Sequence, residues 1–262
     1  YKTEQALAQE MDIDPEYASL VIPTMVICKN FLEIFQAESV WVPGVSLLDG
    51  IAYDYGEKKK FIKSVHNFDI LVASKNIAKR YSTGKDHIKG TTDIALTIFD
   101  SMKKVHGMGA RERLLLQIAV QLHDCGKYIS MADVAECSYR IIMATEIIGL
   151  STEERKVIAS AVRYNTTEFV YYGNYDEGPE IDRERYLLVA KLTAILRLAN
   201  AMDRSHYQKV ESLRVVLKDR ELQMIIDSSR DISLELGLLR DKVKFFEEVF
   251  GIRLVLKRKR RA

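Results

Sequence analysis

Arg111-Glu-Arg-Leu-Leu-Leu-Gln-Ile-Ala-Val-Gln-Leu-His-Asp124 is an apolar helix pattern that runs directly into an imidazole and a carboxylate. A neutral ring nitrogen and an anionic oxygen side by side suit a divalent metal, because both can satisfy the same ion. The same pair at a helix end is equally well explained as a structural cap. The neighbouring helices bear on the choice. His87 shares a helix face with Ile94 and Ile98, so its side chain points inward and can meet His123 if the helices pack. A further helix from about Arg183 carries Leu192, Ile195, Ala199 and Met202 on its apolar face, with Asn200 and Asp203 beside it. Polar groups from three helices therefore border one core.

Working outward, residues 58–207 read as helix after helix. Ser151-Thr-Glu-Glu154 has the spacing of a capping box, and Gly126 reads as a stop signal behind the His-Asp helix. Residues 208–262 read as a small α+β unit: strands at Leu213–Leu217 and Leu222–Ile226, a helix over Leu234–Val249, and a last strand at Ile252–Leu256. Residues 1–57 read as an α/β piece. It has a helix through Val26, Ile27, Phe31, Ile34 and Phe35, a short strand at Ser39-Val-Trp-Val, and a turn at Pro43-Gly44. The chain is thus mainly α. It opens on Tyr1 in what reads as the middle of a helix, the pattern of a fragment of a longer protein.

With 262 residues and 47% hydrophobic composition the chain can bury substantial cores. A net charge of +2 gives no global pull toward nucleic acid or an anionic membrane, so an anion site has to be local. The three cysteines, Cys28, Cys125 and Cys137, have no C-x-x-C spacing and leave one unpaired in any disulfide scheme, which fits a reducing cytoplasm. No uninterrupted apolar run reaches the roughly 18 residues of a bilayer span.

His87, Ala95-Leu-Thr-Ile-Phe-Asp100, His123-Asp-Cys-Gly-Lys-Tyr-Ile-Ser130, Val162-Arg-Tyr164 and Leu196-Arg-Leu-Ala-Asn-Ala-Met-Asp-Arg-Ser-His206 follow one another in an order and spacing that resemble the HD-like domain of the exopolyphosphatase/guanosine-pentaphosphate phosphatase family. Upstream, Ile13-Asp-Pro-Glu-Tyr-Ala-Ser-Leu-Val-Ile-Pro23 and Val42-Pro-Gly-Val-Ser-Leu-Leu-Asp-Gly50 resemble the end of that family's actin-like phosphatase core. Downstream, the segment through Glu247-Glu-Val-Phe-Gly-Ile252 resembles the family's C-terminus. The resemblance implies an HD-like helical bundle between a remnant of the actin-like domain and a small α+β unit. It also implies hydrolysis of phosphoanhydride bonds in polyphosphate or guanosine pentaphosphate, Mg2+ in the full-length enzyme, and homodimers.

Two departures from the pattern weigh against a divalent metal at His87, His123 and Asp124. Where metal-binding HD proteins have the Asp of an Ala-Asp step this chain has Asn200, and Asn165 follows Arg163-Tyr164 where the family often carries His. A neutral amide is the poorer ligand. Asp203 is the nearby carboxylate that can substitute, and a hydrogen-bonded His-Asp core is the competing reading. The 13 glycines are scattered and form no phosphate loop, so no catalytic residue is assigned, and the resemblance puts the catalytic centre N-terminal to Tyr1.

Lys127, Arg163, Arg197, Arg204 and His206 come from separate helices but adjoin the motif segments, and together they suggest a groove for a polyanion. Taken singly, each is better explained by solvent or a neighbouring carboxylate. The tail Lys257-Arg-Lys-Arg-Arg261 reads as a solvated end. Tyr164, Phe169, Tyr171, Tyr172 and Tyr175 read as loop packing, Trp41 as filler between the first two zones, and Cys125 as a small buried side chain. Two other functions compete with a substrate-binding fragment: a self-sufficient metal-dependent nucleotide phosphohydrolase, and a non-catalytic alarmone-binding or dimerisation module.

Overall fold

A computed structural model of the chain describes residues 3–39, 44, 46–59, 61, 66–81, 83–172 and 182–259. Val40 to Val42 of the expected strand, with Trp41, lie outside these residues, as do Pro43, Tyr175, Arg260 and Arg261. The chain divides into two compact units, Tyr1–Lys63 and Ser64–Ala262.

The described part of the first unit is helical: α1 (Glu4–Met11), α2 (Pro15–Phe35) and α3 (Leu47–Lys58). Local chemistry sets the ends. Asp14 accepts a hydrogen bond from Glu16 N at 2.9 Å and Pro15 starts α2, where a missing N–H costs nothing. Ser46 and Asp49 form a reciprocal capping box on α3. Ala18 is the one buried residue of α2 among those described, while Leu20, Ile22, Met25, Ile27, Phe31, Ile34 and Phe35 are exposed within the unit. By length and composition α2 meets the requirement for a membrane span, although Glu16, Lys29, Asn30 and Glu33 interrupt its apolar run. The core helix of a water-soluble protein meets the same requirement.

The second unit contains α4 (His66–Arg80), α5 (Lys85–Ser101), α6 (Lys103–His106), α7 (Ala110–Leu122), α8 (Val134–Ala144), α9 (Thr152–Arg163) and α10 (Arg183–Met202). Helix α7 is the central pillar, with Leu114, Leu115, Leu116, Ile118, Ala119, Val120, Gln121 and Leu122 all buried. A helix apolar on nearly every side needs neighbours on every side. It has them in α4, α5, α9 and α10. Ser151 and Glu154 form the capping box expected at the start of α9.

Beyond α10 come β1 (Ser212–Lys218), β2 (Glu221–Asp227), α11 (Ser233–Phe250) and β3 (Arg253–Arg258). The first two strands form an antiparallel hairpin in the register Lys218↔Glu221 to Ser212↔Asp227, and β3 adds to β2 in parallel after the α11 crossover. Leu222, Met224 and Ile226 alternate inward along β2. The fold is mainly α with a small α+β unit. Helix α11 packs on α10 and β1 on α5, so this unit shares the core of the helices. Lys257 and Arg258, read as part of a solvated end, are exposed to solvent and at the same time paired within the sheet opposite Ile225 and Ile226.

Candidate functional site

Three chain segments converge at the inner end of α5. His87 lies near the start of that helix, His123 and Asp124 follow the last turn of α7, and Asp203 closes α10. His87, His123 and Asp203 are buried.

The hydrogen bonds define the tautomers. His123 Nδ1 lies 2.7 Å from the Val120 carbonyl oxygen, which can only accept, so Nδ1 carries the proton. His87 Nδ1 lies 2.7 Å from Asp203 Oδ2 and donates to that carboxylate. The two Nε2 atoms then face each other at 3.2 Å. Asp124 brings Oδ2 to 3.9 Å from His87 Nε2 and Oδ1 to 3.6 Å from His123 Nε2. Two ring lone pairs and a carboxylate pointing at one another repel unless a proton or a cation lies among them.

Asp203 itself is fixed from behind. Its Oδ1 accepts from Gln208 N at 2.8 Å and its Oδ2 from Gln208 Nε2 at 3.1 Å. His206 and Gln208 hold left-handed backbone, φ +58° and +45°, which few residues without a glycine's freedom adopt. That turn sends the chain back over the site, and the His206 ring stacks on His87 at 3.7 Å between centroids. Asp203 is therefore an orienting partner on His87 Nδ1, whereas the sequence had offered it as a substitute ligand.

Electrostatics follow burial and charge. Burial pushes the His123 pKa down. Burial alone would raise the Asp124 pKa, but His123 and the Lys127 ammonium 2.5 Å away bring it below the usual carboxylate range. Asp203 is lowered likewise, against its burial, by the hydrogen bonds from His87 and Gln208. Cys125 is buried and its thiol is pushed up to about 11, as an inert side chain requires.

Gly126 acts differently from the stop signal expected. It lies in a short 3-10 turn, Cys125–Tyr128, where a Cβ would sit 2.3 Å from the Val134 carbonyl oxygen and 2.6 Å from Ser138 N. Its N–H donates to Ser138 Oγ at 2.8 Å. The residue is a close-approach glycine that lets the His-Asp turn lie against the start of α8.

Asp124, Lys127, Arg204 and His206 line a cavity of about 560 Å³. Thr166 and Arg204 also line an adjoining cavity of about 200 Å³, which adds Asn165, Arg197, Asn200 and Lys242. Arg197 is only 9% exposed. It donates to the carbonyls of Tyr164 at 2.7 Å and Thr167 at 2.6 Å and lies 4.5 Å above the Phe245 ring. No carboxylate lies within ion-pair distance of it among the described residues. Burial lowers its pKa, and burial together with Arg197 lowers that of Lys242. The Asn165 Oδ1 atom is buried and lacks a hydrogen-bond partner.

The structure thus gathers Lys127, Arg197, Arg204 and His206 along one groove. It does not bring Arg163 there. Arg163 lies 3.2 Å from Glu136 Oε2 and 5.5 Å from the Tyr139 ring centroid. Lys242 and Gln208 carried no signal in the sequence. The first is one lysine on an amphipathic helix, and the second depends on an unusual turn. Phe169 packs among Tyr164, Tyr171, Tyr186 and Phe245, in keeping with the structural reading of the aromatic run.

Residues 72–243 match the family model described as Ppx/GppA phosphatase, domain III. A guanosine-5'-triphosphate,3'-diphosphate pyrophosphatase of Aliivibrio fischeri is 22% identical over 245 residues, covering 87% of this chain and 48% of that protein. The chain spans about half the length of this relative.

Proposed function

The chain belongs to the Ppx/GppA phosphatase family, and from that premise we propose that it binds the phosphoanhydride substrate of such an enzyme in the groove beside the His-Asp cluster. The substrate is polyphosphate or guanosine pentaphosphate, the latter suggested by the relative's name. In this reading bond cleavage, with its Mg2+, uses residues outside the chain. The protein is a cytoplasmic homodimer that engages neither membrane nor nucleic acid.

The observation that carries the reading is Arg197. Its buried guanidinium has two carbonyl partners but no carboxylate in ion-pair contact, and it shares a cavity with Arg204 and Lys242. A buried cation without a counterion favours an anion nearby. The groove continues through Arg204 to Lys127, so successive phosphates find successive cations, with the His206 ring, whose pKa burial pushes down, beside them.

Fluorescence titration of the chain with long-chain polyphosphate at low salt tests this. The expected result is binding that weakens steeply as salt rises and falls at least tenfold in the Arg197→Met, Arg204→Ala double variant. Undiminished binding by that variant removes the groove from the account.

A second reading is favoured by the converging Nε2 atoms of His87 and His123. With Asp124 they offer three ligand atoms within 4.8 Å of one another, the number that a catalytic ion takes while keeping a position open. A divalent ion held there would polarise a phosphoryl oxygen and acidify bound water. His87 and His123 would bind it through Nε2, Asp203 would hold the His87 tautomer, and Lys127 would orient Asp124 or meet a phosphate. Phosphate release by this chain alone, dependent on Mn2+ and abolished by His123→Ala, would favour this reading over the first.

A further inference from the structure

A cavity of about 630 Å³ opens between α4, α5 and α7. Ile88, Lys89 and Thr92 lie on the side of α5 turned away from His87 and Thr91, so this cavity and the His-Asp cluster use different faces of the helix. Lys75 and Lys79 are one turn apart on α4, and Lys85 and Lys89 are one turn apart on α5. Like charges at that spacing destabilise a helix. None of the four has a carboxylate within ion-pair distance among the described residues, so no ion pair among those residues offsets the cost.

The remaining walls are not those of a simple anion site. Ala78, Ile88 and the lysine methylenes give them an apolar character. The Gln121 side-chain oxygen accepts from Ser74 Oγ, which fixes the orientation of that amide at the cavity edge. Thr92 lines the same cavity and its buried hydroxyl has no hydrogen-bond partner. Asp93 places one carboxylate at the edge. That charge repels a bare phosphate chain but can accept from ribose hydroxyls or from the N–H groups of a base.

We propose that this cavity is a nucleotide site, with phosphates on the two lysine pairs and the nucleoside against the apolar wall near Gln121 and Asp93. Its volume lies within the range of small-molecule pockets, and its division into a cationic rim and an apolar wall suits a ligand with one anionic and one flat apolar end.

Calorimetric titration of the chain with ATP, GTP, tripolyphosphate and the two nucleosides tests this. At least one nucleoside triphosphate is expected to bind ten times more tightly than tripolyphosphate, and the nucleosides alone at least tenfold more weakly than that triphosphate. Lys79→Ala with Lys89→Ala, two exposed positions, should weaken the triphosphate at least tenfold with an unchanged circular dichroism spectrum. Running the titrations in the Arg197→Met, Arg204→Ala protein keeps phosphate binding in the other groove out of the readout. The proposal is overturned if neither triphosphate binds, if tripolyphosphate binds as well as both, or if the lysine variant binds normally.

Discussion

His87 and His123 present their Nε2 atoms to each other across 3.2 Å, and each ring has committed Nδ1 elsewhere, one to Asp203 and the other to the Val120 carbonyl. With Asp124 Oδ2 3.9 Å from the first ring nitrogen, the arrangement is stable only with positive charge at its centre. Addition of Mn2+ or Zn2+ to chelator-treated protein should therefore raise the melting temperature. At a metal concentration one hundred times the dissociation constant the gain is about 2.7 kcal/mol. Asp124→Asn should remove most of that gain. A melting temperature indifferent to every divalent ion tried would mean that a shared proton, and not a metal, reconciles the two rings.

Arg197 gives a prediction in which stability and binding separate. Arg197→Met keeps the apolar contact with Phe245 but leaves the carbonyls of Tyr164 and Thr167 without their donors, at a cost of about 1–3 kcal/mol. Arg197→Lys restores the charge without the planar fork. If the guanidinium serves the groove, polyphosphate affinity should fall tenfold or more in the Met variant and recover partly in the Lys variant, while urea midpoints fall in both. Equal affinities in all three proteins would reduce Arg197 to a strut between α10 and the loop after α9.

Much of this architecture was legible because it rests on local spacing. The inward face of α5 follows from His87, Ile94 and Ile98, the start of α9 from Ser151 and Glu154, and the closing strand-helix-strand from its alternating apolar residues. The orientation of the cations was not legible. Arg163 and Arg197 sit in equally suggestive motifs, yet one turns to Glu136 and the other to two carbonyls, a difference made by which helix lies opposite. Asp203 was visible as a carboxylate beside the core. Its position behind His87, and not in front of it, depends on the left-handed residues His206 and Gln208, which no helical period encodes.

Gly126 should tolerate no side chain. Gly126→Ala puts a methyl 2.3 Å from the Val134 carbonyl oxygen and 2.6 Å from Ser138 N, both backbone atoms that cannot swing aside. Overpacking of this kind costs about 1–3 kcal/mol, occasionally more. Ser138→Ala removes the hydrogen bond from Gly126 N and the longer one that Ser138 Oγ donates to the His123 carbonyl at 3.4 Å, and should cost about 1 kcal/mol. Urea denaturation of the two variants checks the order. A Gly126→Ala protein as stable as the parent would show that the turn can move, and with it Asp124.

Glu154 links the start of α9 to α7 and should make stability depend on acid pH. Its carboxylate accepts from Arg111 Nε at 2.6 Å, Arg111 Nη2 at 2.9 Å and Ser151 N at 2.8 Å. Burial opposes ionisation, but these donors and the Arg111 charge prevail, and the folded pKa lies below its ordinary value. The unfolded chain then binds the proton more readily. The stabilisation is complete above the unfolded value of about 4.3 and disappears as pH falls through the folded value. With Arg111 37% and Glu154 24% exposed, solvent screening limits it to about 1 kcal/mol. The melting temperature of Glu154→Gln should therefore lie a constant few degrees below the parent from pH 7 to pH 5, and the gap should start to narrow at the unfolded value of about 4.3 and close as pH falls through the folded value. A gap that persists unchanged at pH 3 would assign the loss to the capping geometry at Ser151 and not to the charge.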